Sequence, residues 1–145
     1  MRVNAVTVQL RSEWAGHEPG QFAFVTFDER EGPHPFTISS AWQGDGSLRF
    51  LIKALGDYTR TLASSLKAGD AVTVEGPYGR FNFEGQARRQ IWIGGGIGIT
   101  PFVARLHQLA QHSDGRQIDL FHATTEVDET ALQRLRQDAE AAGVR

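Results

Sequence analysis

The sequence predicts a β + α/β chain: a closed antiparallel β-barrel, then the opening of a parallel, doubly wound sheet. Three observations carry that expectation. Residues 6–83 hold short alternating or apolar runs broken by Gly and Pro, the spacing of an all-β barrel. Beyond residue 91 the apolar residues recur at helical spacing between short apolar runs, the order of a β-α-β-α layer. At the change of period sit four glycines, Gly94, Gly95, Gly96 and Gly98.

Val6, Val8 and Leu10 alternate with Thr7 and Gln9 and predict a first, half-buried strand. Gln21 to Phe27, rich in aromatic and β-branched residues, predicts a second, more deeply buried one. Phe36 to Ala41 is the third. Ser47 to Ala54 is the fourth, entered through the turn residues Gly44-Asp45-Gly46, with Leu48, Phe50 and Ile52 on one face. Ala71 to Glu75 is the fifth and Phe81 to Phe83 a short sixth. One helix interrupts the series: Thr59 is expected to cap it, Leu62 and Leu66 share its inner face, and Gly69 stops it.

Ile91-Trp92-Ile93 lacks alternation, which predicts a strand covered on both faces. A helix follows, with Thr100 as its cap, Pro101 in its first turn, and Phe102, Val103, Leu106, Leu109 and Ala110 as its inward stripe. Ser113-Asp114-Gly115 ends it. Ile118 to Ala123 is the next strand, and Asp128 to Ala142 a second helix through Leu132, Leu135 and Ala139. The divide is placed at Gly85 to Arg89, giving units 1–87 and 88–145. Two parallel strands and two helices are few for such a layer, since sheets usually have about 4–6 strands, so an incomplete domain is expected.

Composition narrows the chemistry. Fifteen basic side chains face seventeen acidic ones, so no basic excess points to nucleic acid. With no cysteine in the chain, disulfides, thiolate metal sites and Cys nucleophiles are excluded. The longest charge-free apolar stretch, Ile91 to Ala104, is fourteen residues with four glycines, short of the about 20 a membrane span needs. A soluble piece is expected. Neither HExxH nor another metal-ligand spacing joins His17, His34, His107, His112 and His122, and no G-x-S-x-G elbow occurs.

Three segments remain as candidate sites. Ile93 to Pro101 (IGGGIGITP) joins a strand to a helix; bare backbone N–H groups at a helix start suit an anion such as a diphosphate, and a tight packing turn is the alternative. The dinucleotide fingerprint G-x-G-x-x-G is not met, because Ile99 stands where a glycine is required. His34 to Ser40 (HPFTISS) follows a Glu31-Gly32-Pro33 turn; taken alone, Phe36 reads first as core. Leu55 to Thr59 (LGDYT) opens the first helix and reads either as a second anion site or as capping.

Taken in order, Pro19-Gly20-Gln21-Phe22, His34-Pro35-Phe36-Thr37, Lys53, Gly56-x-x-Thr59, Gly76-Pro77-Tyr78-Gly79 and Gly96-Ile97-Gly98-Ile99-Thr100-Pro101 resemble the ferredoxin–NADP reductase superfamily, from about Gln9 to Arg145. His34 stands where the family usually has Arg, a variant that resembles the flavin domain of membrane ferric reductases and NADPH oxidases. The resemblance implies a Greek-key FAD-binding barrel followed by a partial Rossmann-like NAD(P)-binding domain. It implies a flavin-dependent oxidoreductase passing electrons from NAD(P)H through FAD to a haem domain or ferric iron. The runner-up readings are a non-catalytic flavin- or partner-binding module and a soluble reductase serving a ferredoxin or oxygenase. By the same resemblance Phe36 lies against the flavin ring, with Pro35 beside it, and Thr37 hydrogen-bonds near the reactive nitrogen as a tuning group. His34, Thr59 and the backbone of Gly56, Asp57 and Tyr58 hold the diphosphate; Ile52 and Lys53 line the flavin site. Gly96, Gly98, Thr100 and Pro101 receive the nicotinamide dinucleotide. No Arg follows Ala123 until Arg134, which favours NADH. The implied setting is the cytoplasm, as a separate protein or as the cytosolic domain of a haem-bearing membrane protein.

Overall fold

A computed structural model describes residues 3–145. The first lobe holds β1 (Val3–Gln9), β2 (Phe22–Thr26), β3 (His34–Thr37), β4 (Ser47–Lys53), α1 (Asp57–Ser65) and β5 (Thr73–Tyr78). β1 pairs antiparallel with β4, β2 lies between β3 and β5, and an Ile38–Phe50 bridge links the two sheets. The resulting order, β1-β4-β3-β2-β5, is a Greek key: β2, β3 and β4 follow one another, and the long connection 10–21 sets β1 beside β4.

The period-two pattern of β4 decides its faces. Leu48, Phe50 and Ile52 turn inward and are at most 2% exposed, while Arg49, Leu51 and Lys53 turn outward. Ala23, Val25 and Ile38 complete the interior. Each such apolar side chain stabilises the fold by about 1.5–3 kcal/mol relative to exposure, Ala23 by less. β2 differs from the expectation of a deeply buried strand. Only Ala23 and Val25 are buried; Phe22 and Phe24 lie on the other face, where with Tyr78 they form an aromatic cluster with centroids 5.7–5.9 Å apart.

The expected sixth strand is absent among the described residues. Phe81 and Phe83 belong to a connection that packs on the second lobe, with Phe83 4.9 Å from Trp92 and Phe81 6.2 Å from Phe102 between ring centroids. Two capping expectations are also corrected. Gly56, not Thr59, precedes α1; Thr59 is the third helical residue, and its hydroxyl accepts the N–H groups of Leu55 (2.9 Å) and Gly56 (3.1 Å). α1 ends at Ser65, four residues before Gly69, because the chain turns extended at Leu66.

In the second lobe β6 (Arg89–Gly95) and β7 (Gln117–Ala123) run parallel, joined by a 3-10 turn (Gly96–Ile99) and α2 (Thr100–Gln111); α3 (Glu129–Ala141) follows. Trp92, Phe102, Leu106, Leu109 and Ile118 form its core. Asp128 caps α3 by accepting the Ala131 N–H at 3.0 Å. Thr100 is the first residue of α2 rather than its cap, and Ala110 lies outside the buried stripe. Both helices contribute to one core on one side of the sheet, so β6 is not covered on both faces: Ile91 is 63%, Ile93 72% and Phe121 58% exposed.

Candidate functional site

The candidate residues fall at two places. The first is where β3 meets the start of α1. The His34 ring stacks on Tyr58 with centroids 4.4 Å apart and planes 19° apart, so two of the sequence motifs are brought into contact. The Nε2 atom of His34 is buried and has no hydrogen-bond partner. A buried polar atom left unpaired is costly, and this one lies where a ligand anion is expected. Burial, followed by the carboxylates of Glu31 and Asp28, pushes the Tyr58 phenol above its ordinary value.

Around that contact the other residues divide by face. Residues directly opposite in an antiparallel pair share a face. Phe36 is opposite Ala23, and its ring packs on Phe27 (5.9 Å) and Phe50 (6.5 Å), toward the interior. Pro35 and Thr37 are opposite Phe24 and Phe22 and look outward, Pro35 exposed and Thr37 half-buried. The side chain of Ile52 is 2% exposed and belongs to the core, so only its backbone is open to a ligand. Asp57 is exposed at the first position of α1. At Gly56 a built Cβ would meet nothing within 4 Å, and its φ of −130° suits any residue. Neither packing nor conformation requires glycine there, which leaves room for a group to approach the backbone.

The second place is a cavity of about 380 Å³ between the lobes, lined by Arg49 and Lys53 of β4, Gly96 and Ile97 of the 3-10 turn, and His122 and Thr124. It opens at the carboxyl ends of the two parallel strands, where ligands of open α/β sheets bind. Arg134, one turn into α3, also lines it. The glycines of the turn have different reasons to be glycine. At Gly94 a Cβ would lie 2.9 Å from the Ile99 Cδ1 and 3.2 Å from its Cα, so that glycine is a packing residue. Gly96 holds a φ of +51°, in the left-handed region. Gly98 is exposed, is not in that region, and has nothing within 4 Å of a built Cβ. Thr100 is buried, and its hydroxyl donates to the Ile97 carbonyl at 2.7 Å. Pro101 follows in the first turn of α2.

His122 carried no signal in the sequence beyond being one of five histidines. In the structure its Nε2 lies 3.1 Å from the Gly96 carbonyl. Its strand register against β6, opposite Gly94, is what a single sequence does not display.

A half-buried histidine with a free buried nitrogen, a helix start with an open glycine, and a glycine turn facing a basic strand across a cleft together define a nucleotide-binding module of two lobes. Residues 2–82 match the family model described as an FAD-binding domain, and residues 92–143 that of an oxidoreductase NAD-binding domain. The chain belongs to the ferredoxin–NADP reductase superfamily. It is 30% identical over 115 residues to the propane 2-monooxygenase reductase component of Rhodococcus jostii (strain RHA1), covering 76% of this chain and 31% of the relative. It is 31% identical over 125 residues to a flavohemoprotein of Bordetella pertussis (strain Tohama I), covering 79% and 31%. The chain thus spans about a third of these relatives. The fold is that of the FAD/NAD-binding domain of nitric oxide dioxygenase from Vibrio cholerae O1 biovar El Tor, with TM-score 0.82, 24% identity, and 98% of this chain on 65% of that one. The Amycolatopsis cytochrome P450 reductase GcoB aligns with TM-score 0.80 and 24% identity, over 99% of this chain and 45% of that one.

FAD and a nicotinamide nucleotide are the cofactors these two domains take. The residues present fit them: the unpaired Nε2 of His34 and the open glycines 56 and 98 leave an unpaired polar atom and unfilled space at two helix starts.

Proposed function

We propose that this chain is the flavin- and nicotinamide-binding part of a reductase that passes electrons from NAD(P)H through FAD to a one-electron iron acceptor. The observation that carries the proposal is the pairing of His34 with Tyr58 at the start of α1, on the lobe that matches an FAD-binding domain. Bound FAD supplies the conversion of a two-electron hydride into single electrons. His34 and the backbone at residues 56–58 hold its diphosphate: the Gly56 N–H goes to the Thr59 hydroxyl, so Asp57 and Tyr58 supply the N–H groups and Gly56 the open approach, with Thr59 bracing the turn. Thr37 and Pro35, facing outward from β3, and Lys53 border the ring; Phe36 supports it from the interior side. Gly96, Gly98, Thr100 and Pro101 shape the turn that receives the nicotinamide nucleotide. Units 1–87 and 88–145 are the two halves of this device, supported by two separate apolar cores.

For the acceptor, a haem domain or ferric iron is the reading we favour. A flavohemoprotein among the relatives supports it, and a haem-bearing membrane domain upstream is its finer form. The propane 2-monooxygenase reductase component among the relatives favours the second reading, a reductase serving an oxygenase. Among the described residues no helix is long and apolar enough to cross a membrane; a cytoplasmic setting is part of the proposal. Arg134 lines the same cavity as Thr124, so its distance along the chain does not by itself decide between NADH and NADPH.

The test has two stages. FAD should bind with about micromolar affinity, equal to about 8 kcal/mol, and colour the protein yellow. Anaerobic NADH or NADPH should then bleach the flavin band, and Thr37→Ala should change that rate more than the melting temperature. Saturating FAD that neither binds nor shifts melting ends the proposal. Binding without bleaching would instead leave a non-catalytic flavin module.

A further inference from the structure

We infer that His122 is the positioning residue of the glycine turn: by holding the Gly96 carbonyl it aims the Ile97 N–H as part of the nucleotide's anion cradle. The inference rests on the nucleotide-binding reading above and adds a residue to it.

The parallel register sets His122 of β7 beside Gly94 of β6, one strand away from the turn it touches. Its Nε2 is 3.1 Å from the Gly96 carbonyl oxygen. A carbonyl only accepts, so Nε2 carries the proton and donates. Gly96 itself sits at a φ of +51°, a conformation that needs an outside contact to be the single one populated, since glycine visits many. The next carbonyl is tied as well: the Thr100 hydroxyl donates to the Ile97 oxygen at 2.7 Å. In a planar trans peptide the N–H points opposite the carbonyl it follows. Tying the Gly96 oxygen therefore fixes the Ile97 N–H, whereas the Gly98 N–H belongs to the 3-10 turn that Gly95 opens. One donor, the Ile97 N–H, is thus aimed before any ligand arrives, by a contact from β7, while α2 steadies the rest of the turn. The space beside Gly96 and Gly98 is open, with nothing within 4 Å of a built Cβ at either. Preorganised donors bind an anion more tightly because less ordering is lost on binding.

The test uses the full chain loaded with FAD and three variants, His122→Ala, His122→Gln and His122→Asn. Glutamine keeps an N–H donor at roughly the reach of Nε2; asparagine is too short. ADP-ribose, a diphosphate nucleotide that cannot be reduced, is titrated by calorimetry. The Ala and Asn variants should bind it about tenfold more weakly, about 1.4 kcal/mol, while Gln should stay within about threefold of the parent and FAD affinity should be unchanged. Hydrogen exchange of the peptide spanning residues 94–100, measured without ADP-ribose, should be faster in Ala and Asn and restored in Gln. A merely structural role would lower melting in Ala without rescue of affinity by Gln. If Ala does not fold, the Gln and Asn pair gives the same contrast. Equal ADP-ribose affinity in parent and Asn, or unchanged exchange in the turn, overturns the inference. A parent that binds no ADP-ribose overturns the nucleotide reading instead, and turn exchange still reports on the clamp.

Discussion

Gly94, at the end of β6, and Gly98, in the 3-10 turn, lie four residues apart, and replacing each should produce opposite results. At Gly94 an added Cβ would meet the Ile99 Cδ1 at 2.9 Å, the Ile99 Cα at 3.2 Å and a Phe102 ring carbon at 3.4 Å. The terminal carbon of Ile99 can turn aside, but its Cα is backbone and cannot. Overpacking of this kind costs about 1–3 kcal/mol. At roughly 4 °C per kcal/mol for a chain of this size, Gly94→Ala should lower the melting temperature by about 4–12 °C. At Gly98 the added carbon meets nothing within 4 Å and φ lies outside the left-handed region. Gly98→Ala should therefore leave stability unchanged or raise it by up to about 1 kcal/mol, through the unfolded chain. Gly98→Val fills the open space further, and should weaken ADP-ribose binding by at least about tenfold, about 1.4 kcal/mol, with FAD affinity intact. Differential scanning calorimetry and nucleotide titration on the same preparations give both numbers. If Gly98→Val binds ADP-ribose as tightly as the parent, or reduction by NADH is unaltered, the nucleotide does not approach this backbone and the placement of the site is wrong.

Two further predictions concern the first lobe. Burial holds the His17 pKa below its ordinary value of 6.5, opposed by the Ser40 carbonyl and Glu18. The unfolded chain therefore binds more protons than the folded one as pH falls through and below about 6.5, so stability should be constant above that range and decline beneath it. Melting temperature measured from about pH 7.5 to about pH 5 should show this slope, and His17→Gln should flatten it; a parent profile as flat as the variant's would count against a neutral buried histidine. Gly20 has a φ of +105° and a built Cβ only 2.5 Å from the Phe81 carbonyl oxygen. Gly20→Ala should cost about 2–4 kcal/mol in urea unfolding, and a loss under about 1 kcal/mol would mean that the connection bearing Phe81 yields easily.

What was legible in the sequence follows from how locally each feature is determined. The faces of β4 could be read because Leu48, Phe50 and Ile52 alternate with Arg49 and Lys53, and one face alone is apolar. In β2 both faces are apolar, so the run Phe22–Thr26 hid that Ala23 and Val25 point inward and the phenylalanines outward. Phe81 and Phe83 have strand-like composition, yet no strand pairs with them among the described residues, and Phe102 and Trp92 offer apolar partners. The exposed Ile91 and Ile93 looked like a doubly covered strand because hydrophobicity records what a surface prefers, not what covers it. The motifs at His34, Gly56 and Gly96 were legible as types. The contact between His34 and Tyr58, and the reach of His122 to Gly96, depend on strand register and on a helix folding back, which no local window contains.

Thr59 and Thr100 expose a division of labour within the two motifs. Both hydroxyls were natural candidates to meet a phosphate, and both are already engaged with backbone: Thr59 with the N–H groups of residues 55 and 56, Thr100 with the Ile97 carbonyl. The glycines beside them, Gly56 and Gly98, are pressed by neither packing nor conformation. The hydroxyls therefore set the shape of each turn, and the glycines keep its outer surface clear. A site built this way has its donors ordered in advance, so a diphosphate displaces little and orders little on arrival. The same logic explains why a threonine in either motif is more informative than its hydrogen-bonding chemistry alone suggests: its partner is the loop, and the loop is what meets the ligand.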